Sequence, residues 1–184
     1  MKVKKNRHYG TPFPFPHFFG CKTNRFFESK SIQFDDTIKY NIGEDQSDVN
    51  KLFGFSYGLH HTDSDRIGFR YIPETNNVQL VLYSYEKGTR LKTQALCNVE
   101  IGEKVTISLY VGLNEDKKRE GRVKIISETR GVVVDVTFNR DVKSPWLRYT
   151  LGLYFGGNRR APHTININEW EAESELNSEK KDEV

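Results

Sequence analysis

Three sets of side chains in this 184-residue chain have types and spacings that suit chemistry. The first is Tyr57, His60, His61, Arg66, Arg70 and Tyr71, gathered in one short span. A Tyr or His that takes a proton, beside an Arg that neutralises a carboxylate, is what elimination from a uronate sugar requires. Alternation argues against part of that set. Phe53, Phe55 and Tyr57 share a face, which makes Tyr57 a core residue. The parity of Ile67, Phe69 and Tyr71 puts Arg70 on the opposite face, where a solvated Arg is the commoner outcome. The second set is His60, His61, Asp63 and Asp65, a mixture of imidazole and carboxylate that suits a metal, with Asp-x-Asp offering oxygen ligands to Ca²⁺. A hydrogen-bonded turn capped by Asp63 accounts for the same loop without an ion.

The third set is Tyr83, Tyr85, Trp146, Tyr154, Asn158, Arg159 and His163. Its rings supply faces for stacking a sugar and its polar groups supply partners for hydroxyls. The same residue types also fill cores and anchor interfaces. Paired carboxylates for hydrolysis must stand on one face of a sheet, ~5–5.5 Å apart in retaining enzymes. The acids Glu169, Glu171, Glu173 and Glu175 follow the last strand and read as a charged tail.

Strands are the elements that must position these groups. Leu147, Tyr149, Leu151, Leu153 and Phe155 alternate with Arg148, Thr150, Gly152 and Tyr154 until Gly156-Gly157-Asn158 turns the chain. Thr164 to Ile167 then closes as a short strand. Ile32, Phe34, Ile38, Tyr40 and Ile42 alternate along a first strand, with Asp36 marking a bulge. Val78 to Tyr85 is apolar on both faces, as a central strand is, and puts Tyr83 and Tyr85 on one face. Short strands divided by turns roughly every ten residues predict an all-β antiparallel sandwich over residues 31–170.

Residues 1–30 read as an extended Pro/Phe-rich arm, and residues 171–184 as an acidic tail. Phe13, Phe15, Phe18 and Phe19 carry apolar area that must be covered. The arm either straps its own sandwich or docks on a partner; the Pro–Phe alternation argues against a mere linker, and protein partners or self-association through the ends are the expectation. The net charge of +3 gives no case for nucleic acid. No segment approaches the ~18 apolar residues of a membrane span, and the prolines after the basic start rule out a signal peptide, so cytoplasmic synthesis is expected. Cys21 and Cys97 are expected to be free thiols.

Two stretches carry a resemblance. Gly102-Glu-Lys-Val-Thr-Ile-Ser-Leu-Tyr110, Arg122–Ile126 and Val132–Phe138 resemble the second half of a concanavalin-A-like (laminin-G-like) jelly roll. So do Leu151–Asn158 and Thr164–Asn168, and Asn50–Ser56 with Tyr154–Asn158 is similar to small modules of Bacteroidetes and their phages. The resemblance implies a jelly roll that carries Ca²⁺ in some members and otherwise needs no cofactor. Its glycosidases share a Glu-x-Asp-x-x-Glu strand that this chain lacks. The sequence-based expectation is therefore a non-catalytic, lectin-like module, structural or adhesive, that binds glycan or protein partners as part of a virion. The alternative is a carbohydrate-active enzyme, a polysaccharide lyase or glycoside hydrolase of jelly-roll fold.

Overall fold

The computed structural model describes residues 1–10, 18–19, 26–57, 61–143 and 148–170. Two antiparallel sheets face each other. The first runs β1 (Lys2–Val3), β13 (Ile165–Trp170), β3 (Phe26–Phe34), β9 (Lys104–Leu113), β10 (Lys118–Ser127) and β11 (Gly131–Lys143). The second runs β2 (Phe18–Phe19), β12 (Arg148–Leu151), β4 (Asn50–Tyr57), β5 (Ser64–Ile72), β6 (Asn77–Glu86) and β7 (Thr89–Arg90), with β8 (Gln94–Glu100) also paired to β6. The chain is an antiparallel β-sandwich of jelly-roll architecture.

The core is what the alternation demands. Ile32, Phe34, Ile107, Leu109 and Ile125 of the first sheet bury against Phe53, Phe55, Ile67, Phe69 and Leu80 of the second. Phe34 meets Phe69 at 5.3 Å between ring centres, and Phe26 meets Phe55 at 5.7 Å. The turn into β6 uses Asn76 at φ 50°, the left-handed geometry that Asn tolerates.

Three local features depart from the expected pattern. The first long strand ends at Phe34, and Asp35 caps a short 3₁₀ turn, Asp36–Ile38, by accepting from the Thr37 amide at 2.8 Å. An Asp side chain that binds the backbone two residues on competes with the strand ladder, so Asp35 and Asp36 end the strand instead of bulging it. The N-terminal residues belong to the sandwich. β1 pairs with β13, Val3 is buried in the core, and β3 already begins at Phe26. The backbone of β2, Phe18–Phe19, pairs with β12 of its own sheet. Phe13, Phe15, Cys21 and the tail 171–184 lie outside the described residues.

Between the sheets, at the β5–β6–β10–β11 end, sits a buried ionic cluster. Asp65 is fully buried and accepts from Ser84 Oγ at 2.7 Å. Arg119, also fully buried, places Nε 3.1 Å from Asp65 Oδ2 and donates from Nη1 to Asp63 at 2.7 Å. Arg140 Nη2 lies 3.1 Å from Asp65 Oδ1 and donates to Ser84 Oγ at 2.8 Å. The guanidinium of Arg119 also lies 4.0 Å from the ring centre of Tyr57. Tyr57 is thus the core residue its parity implied.

Candidate active site

Along β4, β5, β6 and β12 of the second sheet, and reaching Glu28 and Lys30 on β3 of the first, the described residues form a cavity of about 890 Å³. Register places its principal side chains in two rows. Arg66 on β5 is paired with Gly54 on β4 and with Tyr83 on β6. Lys51 on β4 is bridged to Tyr154, and Tyr154 in turn to Tyr9. Directly paired residues project to the same face, so Tyr9, Tyr154 and Lys51 stand side by side. Lys51, Arg66 and Tyr83 are each only 8% exposed.

A β-bulge sets this arrangement. Between Lys51 and Phe53 the β4–β5 register shifts, and Leu52 and Phe53 both bury in the core. The extra residue reverses the phase of the strand, so Lys51 reaches the cavity although its number has the parity of the core residues Phe53 and Phe55. Two glycines admit the charged groups. Gly54 has φ 153°, and a Cβ there would stand 2.4 Å from the Asp65 carbonyl, so the close approach of β4 to the Arg66 backbone needs Gly. Gly156 has φ 77°, and its carbonyl accepts from Lys51 Nζ at 3.1 Å while its amide donates to Asn50 Oδ1 at 2.5 Å.

The electrostatics are those of cations whose burial outweighs the anions near them; Asp48 supports the Lys51 charge without offsetting its burial. Burial, followed by the Arg66 charge, brings the Lys51 ammonium down to about 8. Burial also lowers the Arg66 guanidinium to about 10; its Nη2 donates to the Gly152 carbonyl at 3.2 Å and its buried Nε has no hydrogen-bond partner among the described residues. The Lys51 ammonium lies 4.7 Å from the Tyr83 ring centre and 5.3 Å from that of Tyr154. Burial pushes the Tyr83 phenol up to about 12 and raises that of Tyr154. Both phenols therefore keep their protons when Lys51 loses its own.

Of the residues singled out for sugar contact, Tyr83, Tyr85, Tyr154 and Asn158 line this cavity. Arg159 instead pairs with Asp45 at 2.7 Å, and His163 donates to the Thr37 carbonyl at 2.8 Å. Trp146 lies outside the described residues. The metal set separates as well. His61 lines the cavity, but Asp63 and Asp65 are held by Arg119 and Arg140, and His60 lies outside the described residues. Among the described residues no group of three or more His, Cys, Asp or Glu is placed to hold a metal ion. Arg70 shares the cavity face with Arg66 but is bound to Gln79 at 2.6 and 2.9 Å. Lys51, Tyr149 and Tyr9 also line the site and were not singled out by sequence. Tyr149 was assigned to the face of Leu153 and Phe155; the alternation breaks at Gly152, after β12 ends.

No family model matches the chain, and no curated protein matches it. Solved structures do. The fold is similar to that of alginate lyases. Aly36B superposes with a TM-score of 0.58 and 17% identity, covering 92% of this chain and 76% of that one. The marine alginate lyase from Aplysia kurodai gives 0.57 and 14%, over 92% and 79%. The alginate lyase from Klebsiella pneumoniae gives 0.51 and 10%, over 81% and 60%. The sandwich thus shares its jelly-roll fold with these lyases, and that fold is not specifically that of a lectin or a phage module. These likenesses overturn the expectation of a non-catalytic, adhesive virion protein, and favour the enzyme alternative. Among the described residues no helix is long and apolar enough to cross a membrane.

Proposed function

We propose that this protein is a polysaccharide lyase that cleaves a uronate chain of the alginate class by β-elimination. The observation that carries the reading is the placement of Lys51 between two protonated phenols and beside Arg66, in the cavity of a lyase-like sandwich. Aly36B has itself been solved with a lysine and a tyrosine replaced by alanine, in complex with alginate tetrasaccharide.

The chemistry follows from the groups. The proton next to a uronate carboxylate becomes acidic only when that carboxylate is neutralised, and the buried Arg66 guanidinium supplies the positive charge. Lys51, neutral above about pH 8, is the base that removes the proton. Tyr154 keeps its proton at that pH, faces the cavity, and donates to the departing glycosidic oxygen. The carbon–hydrogen and carbon–oxygen bonds break, a carbon–carbon double bond forms, and Lys51 gains the proton that Tyr154 later recovers.

The test is to incubate the purified protein with alginate and follow absorbance of the unsaturated uronate product. Wild type should produce it, with kcat/KM rising with pH through about 8 as Lys51 deprotonates. Lys51→Ala and Tyr154→Phe should each lose roughly 10²–10⁴-fold. A wild type that releases no unsaturated product from alginate would sink the proposal.

A further inference from the structure

We infer that the N-terminal segment His8–Gly10 is a working wall of the cleft, and that Tyr9 is a stacking subsite for a pyranose ring of the substrate beyond the one being cleaved. The inference rests on the lyase reading and extends it to residues expected to form an arm outside the domain.

The segment is held as an added edge strand. The Phe155 amide donates to the His8 carbonyl at 2.7 Å, and the Gly10 amide donates to the Leu153 carbonyl at 3.1 Å. On the far side of the 153–155 stretch, Tyr154 exchanges two 2.8 Å bonds with Lys51, amide to carbonyl in each direction. Three backbones therefore lie abreast, and Tyr9, Tyr154 and Lys51 share one row. Two strand spacings put Tyr9 roughly 10 Å from Lys51. That separation suits a neighbouring sugar better than the reacting one.

Tyr9 has the features of a ligand platform. Its ring meets Tyr154 edge-on, at 5.0 Å and 79°, which leaves its own faces uncovered by that contact. It is 53% exposed although it lines the cavity, an arrangement a core-filling Tyr does not need. His8 fixes the other ring. It stacks on Tyr154 at 5.1 Å and 12°, and its Nδ1–H donates to the Phe155 carbonyl at 2.9 Å. The pair divides two tasks: His8 positions Tyr154, and Tyr9 is presented to the cleft.

The experiment compares wild type, Tyr9→Ala and Tyr9→Phe on polymeric alginate, together with calorimetric binding of alginate hexasaccharide. Tyr9→Ala should raise KM and weaken hexasaccharide binding about tenfold, the scale of a truncated aromatic contact, with kcat kept. Its melting temperature should stay near wild type, because the ring is half exposed. Tyr9→Phe should behave as wild type, since stacking needs the ring and not the hydroxyl. If wild type cleaves alginate and Tyr9→Ala matches it in KM and binding, the subsite is refuted while the lyase reading stands. A wild type that neither binds nor cleaves alginate overturns both. A Tyr9→Ala variant that loses kcat and melting temperature together shows a structural segment and overturns the subsite.

Discussion

Arg66 and Arg119 are both buried guanidiniums on the second and first sheets, and the molecule treats them in opposite ways. Burial works against the Arg119 charge, but Asp65, Tyr57 and Asp63 more than offset it and hold its pKa above the usual arginine value. For Arg66 burial wins, and its pKa falls to about 10. The contrast is sharpest along β5. Asp65 and Arg66 are consecutive, so their side chains leave the strand on opposite faces. Asp65 turns inward to two arginines and a serine, whereas Arg66 turns outward to a single carbonyl and the rings of the cleft. Compensated charge ties the sheets together. Charge left short of partners is what the proposed lyase reading assigns to a substrate carboxylate.

The largest expected effect tests the compensated side. Asp65→Asn strips the shared anion from Arg119 and Arg140, and breaking a buried pair in this way costs about 3–5 kcal/mol. Urea denaturation should show that loss. A change below about 1 kcal/mol would mean that the cluster is a surface-like pair and the comparison is wrong.

The second variant tests the uncompensated side. Lys51→Met should abolish lyase activity and yet raise the melting temperature at pH 7, by roughly 2–4 °C for each kcal/mol gained. The sign follows from protons. Between about pH 8 and 10.5 the unfolded chain holds the Lys51 proton and the native state does not, so wild-type stability rises with pH there. The advantage of Lys51→Met should therefore be full below about pH 8 and shrink above it. A lowered melting temperature at pH 7 would show that Lys51 is already compensated.

The smallest effect concerns Glu28, which lines the cavity near Lys30. Burial raises its carboxyl to about 7, against the pull of Lys30. The native state keeps a proton that the unfolded chain has lost, so stability falls as pH climbs from about 4.5 to 7. Glu28→Gln should match wild type in melting temperature at pH 4 and exceed it slightly at pH 8. Equal melting temperatures at both would place Glu28 in solvent.

Much of this architecture could be read from the sequence, and the site only in part. Period-two alternation identified the sandwich, the core parity of Tyr57 and the shared face of Tyr83 and Tyr85, because β4 keeps one phase from Phe53 to Tyr57 and β6 keeps one phase over Val78 to Tyr85. Lys51 escaped because the bulge at Leu52 reverses the phase within one strand, and nothing in a Lys-Leu-Phe run marks the reversal. Tyr9 escaped because its neighbours in space, Tyr154 and His8's acceptor Phe155, are at the far end of the chain. The Asp63–Asp65 loop suggested a metal because its counterions, Arg119 and Arg140, come from distant strands. Local pattern records which way a residue points, but not what it meets there.

The bonds around Gly156 also govern when the site can exist at all. Lys51 and the carbonyl that receives its ammonium are 105 residues apart, and His8 and its acceptor are 147 apart. Contacts of such separation form slowly, because the intervening chain must be closed before any of them contributes. During synthesis β4, β5 and β6 can pair as soon as they leave the ribosome, each with a neighbour in sequence. Until the segment around Gly156 arrives, Lys51 stands at the open margin of that nascent sheet, without the carbonyl that receives its ammonium and without the Tyr154 ring beside it. The burial that lowers its pKa is completed only when the turn closes over it, so a chain stalled short of that turn carries the lysine without its full surroundings.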